Sequence, residues 1–470
     1  MSEELLLEIG TEEIPAAFMP AALAALKALM EKELTGRRIS FKEVETCGTP
    51  RRLVLMAYKV ALSQTDLVIE KTGPAKNIAY DTNGTPTKAA EGFARGQGID
   101  VSELKIVRTD KGEYICAEKQ EKGVETATLL PEILLRVISQ LPFPKSMRWK
   151  DLDVRFARPI HWLLALFNGS IVPFTFGAIQ SGDTTYGHRF MAPAPIKVAG
   201  IATYKDALKK AGVVVDHTQR KKAILAKIRE LAKKVHGTAD EDEKLLEEVT
   251  FLLEAPFAVL CSFEKEFLKL PVEVLITTMK KHQKYFPVFD KNKQPLNYFI
   301  ALNNTESVNP GVVINGHERV LRARLSDARF FYTEDRKKSL GSLTESLRNV
   351  LFQAKLGTSY EKVMRFQSLG LFIAEALNNP SIKSKVERAA YLCKADLVSD
   401  MVGEFPELQG IMGREYARSA GEPEAVAQAL YEHYLPRFAG DDLPSTDVGA
   451  VVSISDKLDT IAGCFSIGLV

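Results

Sequence analysis

Residues 393–410 read CKADLVSDMVGEFPELQG and carry four carboxylates, at Asp396, Asp400, Glu404 and Glu407. Asp396 and Asp400 stand four apart, a spacing that puts both on one face of a helix. Farther along, Tyr431-Glu432-His433 and Asp456-Lys457-Leu458-Asp459 add an imidazole and further acids. Acids and a histidine strung along helices are the donor types of a metal centre, and so of metal-assisted hydrolysis. Other residues suit a different chemistry. KKHQKYFPVFD (280–290) sets Lys281, His282 and Lys284 beside Tyr285, a mixture of cations and rings that holds phosphates and stacks on bases. The same segment also reads as a surface turn entering a buried strand, FPVF. ERVLRARLSDARFF (318–331) places Arg319, Arg322 and Arg329 on one helical face, which suits a row of phosphates or a set of neighbouring acids. Three short basic turns complete the set: GTPRRL (48–53), FPKSMRW (143–149) with Lys145 and Arg148, and GHRF (187–190) with His188 and Arg189.

These residues need elements to hold them. ELLLEIG (4–10) reads as a strand, and Thr11-Glu12-Glu13 followed by Pro15 reads as a helix entry. Ala16 to Leu34 is helical, with Leu23, Leu26, Met30 and Leu34 at helical spacing. FKEVETCGTPRRLVLMAYKV holds two strands around a CGTP turn. The first 62 residues are therefore expected to form an α/β module. A short helix is expected from Pro86 to Arg95, then a hairpin over 104–118 turning at Asp110-Lys111-Gly112, then a helix over about 124–140. QRKKAILAKIRELAKKV (219–235) is an amphipathic helix with Ile224, Ile228, Leu231 and Val235 as its apolar stripe. Arg220 and five lysines are expected on its solvated face. Residues 63–315 read as α+β and 316–470 as all-helical. The fold class expected is thus α+β multidomain, with α/β and α+β modules ahead of a helical domain.

Bulk composition narrows the function. The 62 Lys and Arg residues against 60 Asp and Glu exclude a histone-like basic protein but not a locally basic face. Five cysteines at wide spacing, with no CxxC pair, argue against clustered zinc or a disulfide framework and fit a reducing compartment. No apolar run reaches about 18 residues, and MSEELLLEIG is no signal peptide, so no membrane association and a cytoplasmic location are expected. No GxxxxGK[ST], no GxGxxG after a strand and no GxSxG is present, so neither a nucleotide loop nor a serine-hydrolase elbow is assigned. The last residues, CFSIGLV, are apolar and uncapped and read as a cut inside a longer protein.

Two resemblances follow. The helical region resembles the HD phosphohydrolases, metal enzymes that carry a His, a His-Asp pair and a later Asp on bundled helices. Asp396, His433 and Asp456 fall at positions of that pattern. Ala395 stands where the family has its metal-binding His, and GTSYEKVMR offers Tyr360 and Lys362 where the first His belongs. The pattern is degenerate, and no metal or catalytic residue is assigned. An HD-type phosphohydrolase acting on nucleotides or phosphate esters is the alternative function.

The second resemblance covers nearly the whole chain. LLLEIGTEEIPAAF, CGTPRRLVL, FPKSMRW, FARPIHWLLALF, HQKYFPVFD, VLRARLSDARFF and CKADLVSDMVGEFPELQGIMGREYA, in that order, resemble the β subunit of the bacterial glycyl-tRNA synthetase. This implies an α2β2 ligase in which the α subunit holds ATP, magnesium and glycine while β binds tRNA(Gly). The middle region then resembles the editing-type module of the phenylalanyl enzyme's β subunit. The family continues into an anticodon-binding domain that this chain is expected to lack. The RNA-contact candidates are Lys145, Arg148, Lys281, His282, Lys284, Tyr285, Arg319, Arg322 and Arg329.

Overall fold

The structure, a computed structural model, describes residues 3–110, 112–149 and 152–469. It divides into two compact units, Met1–Leu225 with Leu246–Phe257 and Asn303–Glu306, and Ala226–Leu245 with Ala258–Leu302 and Ser307–Val470.

In the first unit, the strand Glu4–Thr11 is apolar on both faces from Leu5 to Ile9 except at Glu8, as expected of a strand covered on both sides. It lies inside a seven-stranded sheet ordered Thr175–Phe176, Ile179–Gly182, Ile160–Phe167, Glu4–Thr11, Arg52–Tyr58, Glu43–Thr49, with Ser170–Ile171 pairing to Ile160–Phe167. Leu7 sits opposite Leu55 on one side and Ala165 on the other. Because side chains alternate along a strand, Leu5, Leu7 and Ile9 share a core with the helices Met19–Gly36 and Thr126–Ser139. Leu6 faces the other way, with Val54, Met56, Leu164 and Leu166, against Tyr204 and Leu208 of the helix Ile201–Lys210. The sheet therefore crosses the boundary expected at residue 62. Strand and hairpin patterns are local, whereas the partner Ile160–Phe167 lies about a hundred residues on and leaves no mark near residue 62. The two strands around the CGTP turn do form as expected, at Glu43–Thr49 and Arg52–Tyr58.

A smaller three-stranded sheet, Leu67–Ala75, Gly112–Glu121 and Lys105–Thr109, packs on the helix Lys88–Gln97 around Ala90, Ala94, Ile115 and Ala117. Its hairpin closes at Thr109 opposite Gly112. Lys111 of the expected turn lies outside the described residues.

The second unit holds a four-stranded sheet, Thr238–Ala239, Phe286–Phe289, Pro295–Asn303 and Phe257–Ser262, followed by helices. The long helix Pro310–Asp335 starts at its proline, the residue best suited to a first turn. The helices Ser359–Ala376, Pro380–Leu392, Glu424–Glu432 and Asp447–Ser466 pack together through Val363, Phe366, Val386, Ala389, Leu430 and Val452. A short hairpin, Leu351–Gln353 with Gly357–Thr358, interrupts a region expected to be wholly helical. All five cysteines are free thiols: Cys47, Cys116, Cys261 and Cys393 are buried and Cys464 is partly exposed. Among the described residues no helix is long and apolar enough to cross a membrane.

Candidate functional site

Strand register assembles the densest polar constellation of the first unit. Gly10 stands opposite Arg52 on one neighbouring strand and Trp162 on the other. A Cβ at Gly10 would lie 1.9 Å from Trp162 Cε2, so the missing side chain makes room for the indole. Arg52 is fully buried. Its Nη1 donates to Glu8 Oε1 at 3.0 Å and to the Tyr186 carbonyl at 2.9 Å, and its Nε donates to Glu254 Oε1 at 2.9 Å. Thr49 Oγ1 donates to the same Glu254 oxygen at 2.7 Å. Burial opposes charge on all of these groups. For Glu254 it is outweighed by Arg52 and the Thr49 hydroxyl, which hold the acid below its ordinary value. For Arg52 it is outweighed by Glu254 and Glu8.

Outside this buried cluster lies a cavity of about 340 Å³, lined by Arg51, His161, Trp162, Tyr186, Gly187 and Arg189 among others. Trp162 meets Tyr186 edge-on at 5.0 Å, and the Arg51 guanidinium lies over the Trp162 ring at 5.7 Å. Glu12 accepts from Arg189 Nη1 at 3.2 Å and sits 3.0 Å from His161 Nε2. Burial raises the Glu12 acid, but Arg189 and His161 outweigh it and hold it below its ordinary value. The contributing stretches, TEEIP, GTPRRL, RPIHW and GHRF, look like unrelated turns in the sequence. The signal that they meet is Glu8, which interrupts the apolar run from Leu5 to Ile9, and Gly10, which ends it.

In the helical region the expected carboxylate face does not form. The chain turns through a 3-10 segment, Ala395–Val398, and restarts at Asp400–Glu404, where the Ser399 hydroxyl accepts from the Val402 N–H. A serine at that place caps a new helix rather than continuing an old one, so Asp396 and Asp400 share no helical face. Asp396 Oδ2 instead accepts from the backbone N–H of Gly410 at 2.6 Å and of Gly413 at 3.0 Å, at the start of the helix Ile411–Ser419. Burial pushes its carboxyl up to about 6. Glu407 stands 2.8 Å from His282 Nε2, and Glu404 pairs with Arg324.

Asp456 sits between two ammonium groups, Lys362 Nζ at 2.8 Å from one oxygen and Lys394 Nζ at 2.8 Å from the other. Lys394 also lies 4.1 Å over the Tyr434 ring, and Lys362 reaches Asp459 and Thr460. His433 is fully buried with Nδ1 2.8 Å from the Leu430 carbonyl, which places its proton there. Burial and the nearby Lys394 push its pKa far down, so the ring is neutral. The positive charge beside Asp456 is therefore built from lysine. Among the described residues no group of three or more His, Cys, Asp or Glu stands together as a metal-ligand set.

The structure sorts the RNA-contact candidates. Lys145, Lys281 and Arg319 are exposed, and none makes an ion pair among the described residues. Arg148 closes its own turn, donating to Asp153 at 2.8 Å and to the Leu152 carbonyl at 3.1 Å. Arg322 is paired with Glu264 and Arg329 with Glu266, so two of the three arginines on that helix have acidic neighbours. His282 is held edge-on to Phe405 as well as by Glu407. Lys284 is half-buried with a left-handed backbone, φ 59°. Tyr285 is 5% exposed, stacked on Phe299 at 4.7 Å and bonded to His317 at 2.8 Å, so its ring is not available to a base. It stands immediately before the buried strand Phe286–Phe289, in line with the plainer of the two readings of that segment.

Comparison with known proteins agrees with the motif order. A family model described as glycyl-tRNA synthetase beta subunit matches residues 5–470. A glycine--tRNA ligase beta subunit of Geobacter sp. (strain M21) is 57% identical over 470 residues, which is 100% of this chain and 68% of that protein. The proteins of the same name in Geobacter sulfurreducens and Syntrophus aciditrophicus are 55% and 54% identical, each again over 100% of this chain and 68% of its own length. With a match of that extent and identity, the chain belongs to the glycyl-tRNA synthetase beta subunit family.

Proposed function

We propose that this chain is the tRNA-holding subunit of a glycyl-tRNA ligase. It grips the body of tRNA(Gly) through phosphate contacts and presents the 3′ end to a separate α subunit in an α2β2 assembly. ATP and magnesium act in that α subunit, and the chain's own contribution is orientation. Fixing two reactants relative to one another removes up to about 7–11 kcal/mol of a barrier without any catalytic side chain. The reading assigns the chain to the cytoplasm, where tRNA is charged.

The observation that carries the reading is the family match along residues 5–470. The free cations refine it. Among the described residues Lys145, Lys281 and Arg319 have no ion pair to break before they meet a phosphate, whereas Arg322 and Arg329 must first leave Glu264 and Glu266.

The test is binding of the chain to tRNA(Gly) and to an unrelated tRNA over a salt series. Replacing Lys145, Lys281 and Arg319 together by alanine is expected to lower the log–log salt slope by about three, one for each phosphate contact. Arg322→Ala and Arg329→Ala are expected to leave it unchanged. Absence of binding at low salt, or an unchanged slope in the triple variant, refutes the assignment.

A further inference from the structure

The cavity bounded by Arg51, His161, Trp162, Tyr186 and Arg189 has the size of a small-molecule site, within the usual range of about 300–1,000 Å³. Its walls specify the ligand's charge. Among the residues that line it, the buried groups without a hydrogen-bond partner are both donors, Arg51 Nε and the Trp162 indole N–H. A buried donor left without an acceptor costs about 1–3 kcal/mol, so an acceptor-rich ligand recovers energy at two points at once. The mouth is cationic as well. Glu12 serves both Arg189 and His161, and Arg51, though it feels Glu254 and Glu12, makes no direct ion pair among the described residues. An anion is the ligand this wall selects.

The aromatic residues that line it specify the rest. Trp162 is fixed edge-on to Tyr186, which leaves a ring face of Tyr186 on the cavity wall. A guanidinium for a phosphate beside ring faces for a base is the combination that holds an unstacked nucleotide. We infer that this cavity binds a single nucleotide, phosphate at Arg51 with Arg189 at the rim and base against Tyr186, taken either from free solution or from an unpaired stretch of RNA. The inference rests on the proposed RNA-handling role for its biological ligand, but not for its chemistry.

The chain supplies its own reporter. It has two tryptophans, Trp149 and Trp162, so Trp149→Phe leaves Trp162 as the sole emitter. Fluorescence titrations of that variant with AMP, adenosine, inorganic phosphate, single-stranded tri-adenylate and a blunt RNA duplex read the site directly. Saturable quenching is expected with AMP or tri-adenylate, at least 10-fold weaker with adenosine and phosphate, and absent with the duplex. Tri-adenylate tighter than AMP identifies RNA as the source; the reverse identifies a free nucleotide. Arg51→Gln and, on the exposed rim, Arg189→Ser are each expected to weaken binding at least 10-fold with an unchanged circular dichroism spectrum. Should Arg51→Gln fail to fold, Arg189→Ser alone decides. Phosphate binding as tightly as AMP overturns the nucleotide assignment, as does silence towards every probe. If tRNA still binds the chain while all probes are silent, only the cavity is refuted. If AMP quenches while tRNA does not bind, only the tRNA-holding role is refuted.

Discussion

At Arg52 one guanidinium serves two buried carboxylates, Glu8 and Glu254. Removing it strands both. Arg52→Met is expected to cost about 3–5 kcal/mol in urea unfolding at pH 7, because the acids keep their desolvation cost and lose their counter-charge. The sign with pH follows from Glu254, whose folded pKa is depressed. Its stabilisation is present above the unfolded carboxylate value, about 4.3, and is lost as pH falls through the lower folded value. The gap between wild type and variant therefore narrows on acidification below about pH 4; a gap independent of pH would show that packing, not charge, is at stake. Asp396 runs the opposite way. Its folded pKa is raised to about 6 by burial, so its contribution is fully present below the unfolded value and lost as pH rises through 6. Relative to Asp396→Asn, the wild-type chain is expected to lose about 2 kcal/mol between pH 4 and pH 7, read from unfolding midpoints at both. The sequence showed the acids in both places but not their fates. Asp396 was legible as a carboxylate near a helix, while the Gly410 and Gly413 N–H groups that claim it belong to a turn fourteen residues on.

Elements formed where their pattern was local. The Lys105–Thr109 and Gly112–Glu121 hairpin, the Thr126–Ser139 helix and the Pro310–Asp335 helix follow from alternation, helical spacing and a well-placed proline. Arg220 did not follow. It sits among lysines on a helix and reads as solvated, yet it is fully buried, donating to the Thr250 carbonyl at 2.8 Å and the Gly48 carbonyl at 2.7 Å. A buried arginine satisfied by backbone carbonyls has no complementary residue type for a sequence to display. Gly10 is a second such case, since only strand register reveals that Trp162 lies across it. Gly10→Ala is expected to displace the indole and cost about 1–3 kcal/mol of stability. Combining it with Trp162→Ala should recover most of that cost, because the clash then has no second party. Additive losses in the double variant would show that the strand itself, not the ring, requires glycine.

For the molecule as a whole, the family was legible from motif order, whereas the division of the chain was not. The main sheet draws strands from residues 4–58 and 160–182, and the candidate cavity exists only because those distant pieces pair. The cysteines offer a way to watch that assembly come apart. Cys47 lies in the main sheet, Cys116 in the three-stranded sheet, Cys261 in the four-stranded sheet and Cys393 at the end of a bundled helix. Burial pushes the Cys47 and Cys261 thiols up to about 12 and raises those of Cys116 and Cys393, so none of the four offers thiolate in the native state. Only Cys464 is reachable without opening. A thiol reagent added to the folded chain should thus label one site quickly and four slowly, with mass spectrometry assigning each. Simultaneous labelling of the four would mean that the chain opens as one body. Labelling in sequence would rank its parts by their opening free energy. Nature has placed, in effect, one clock in each part of the fold.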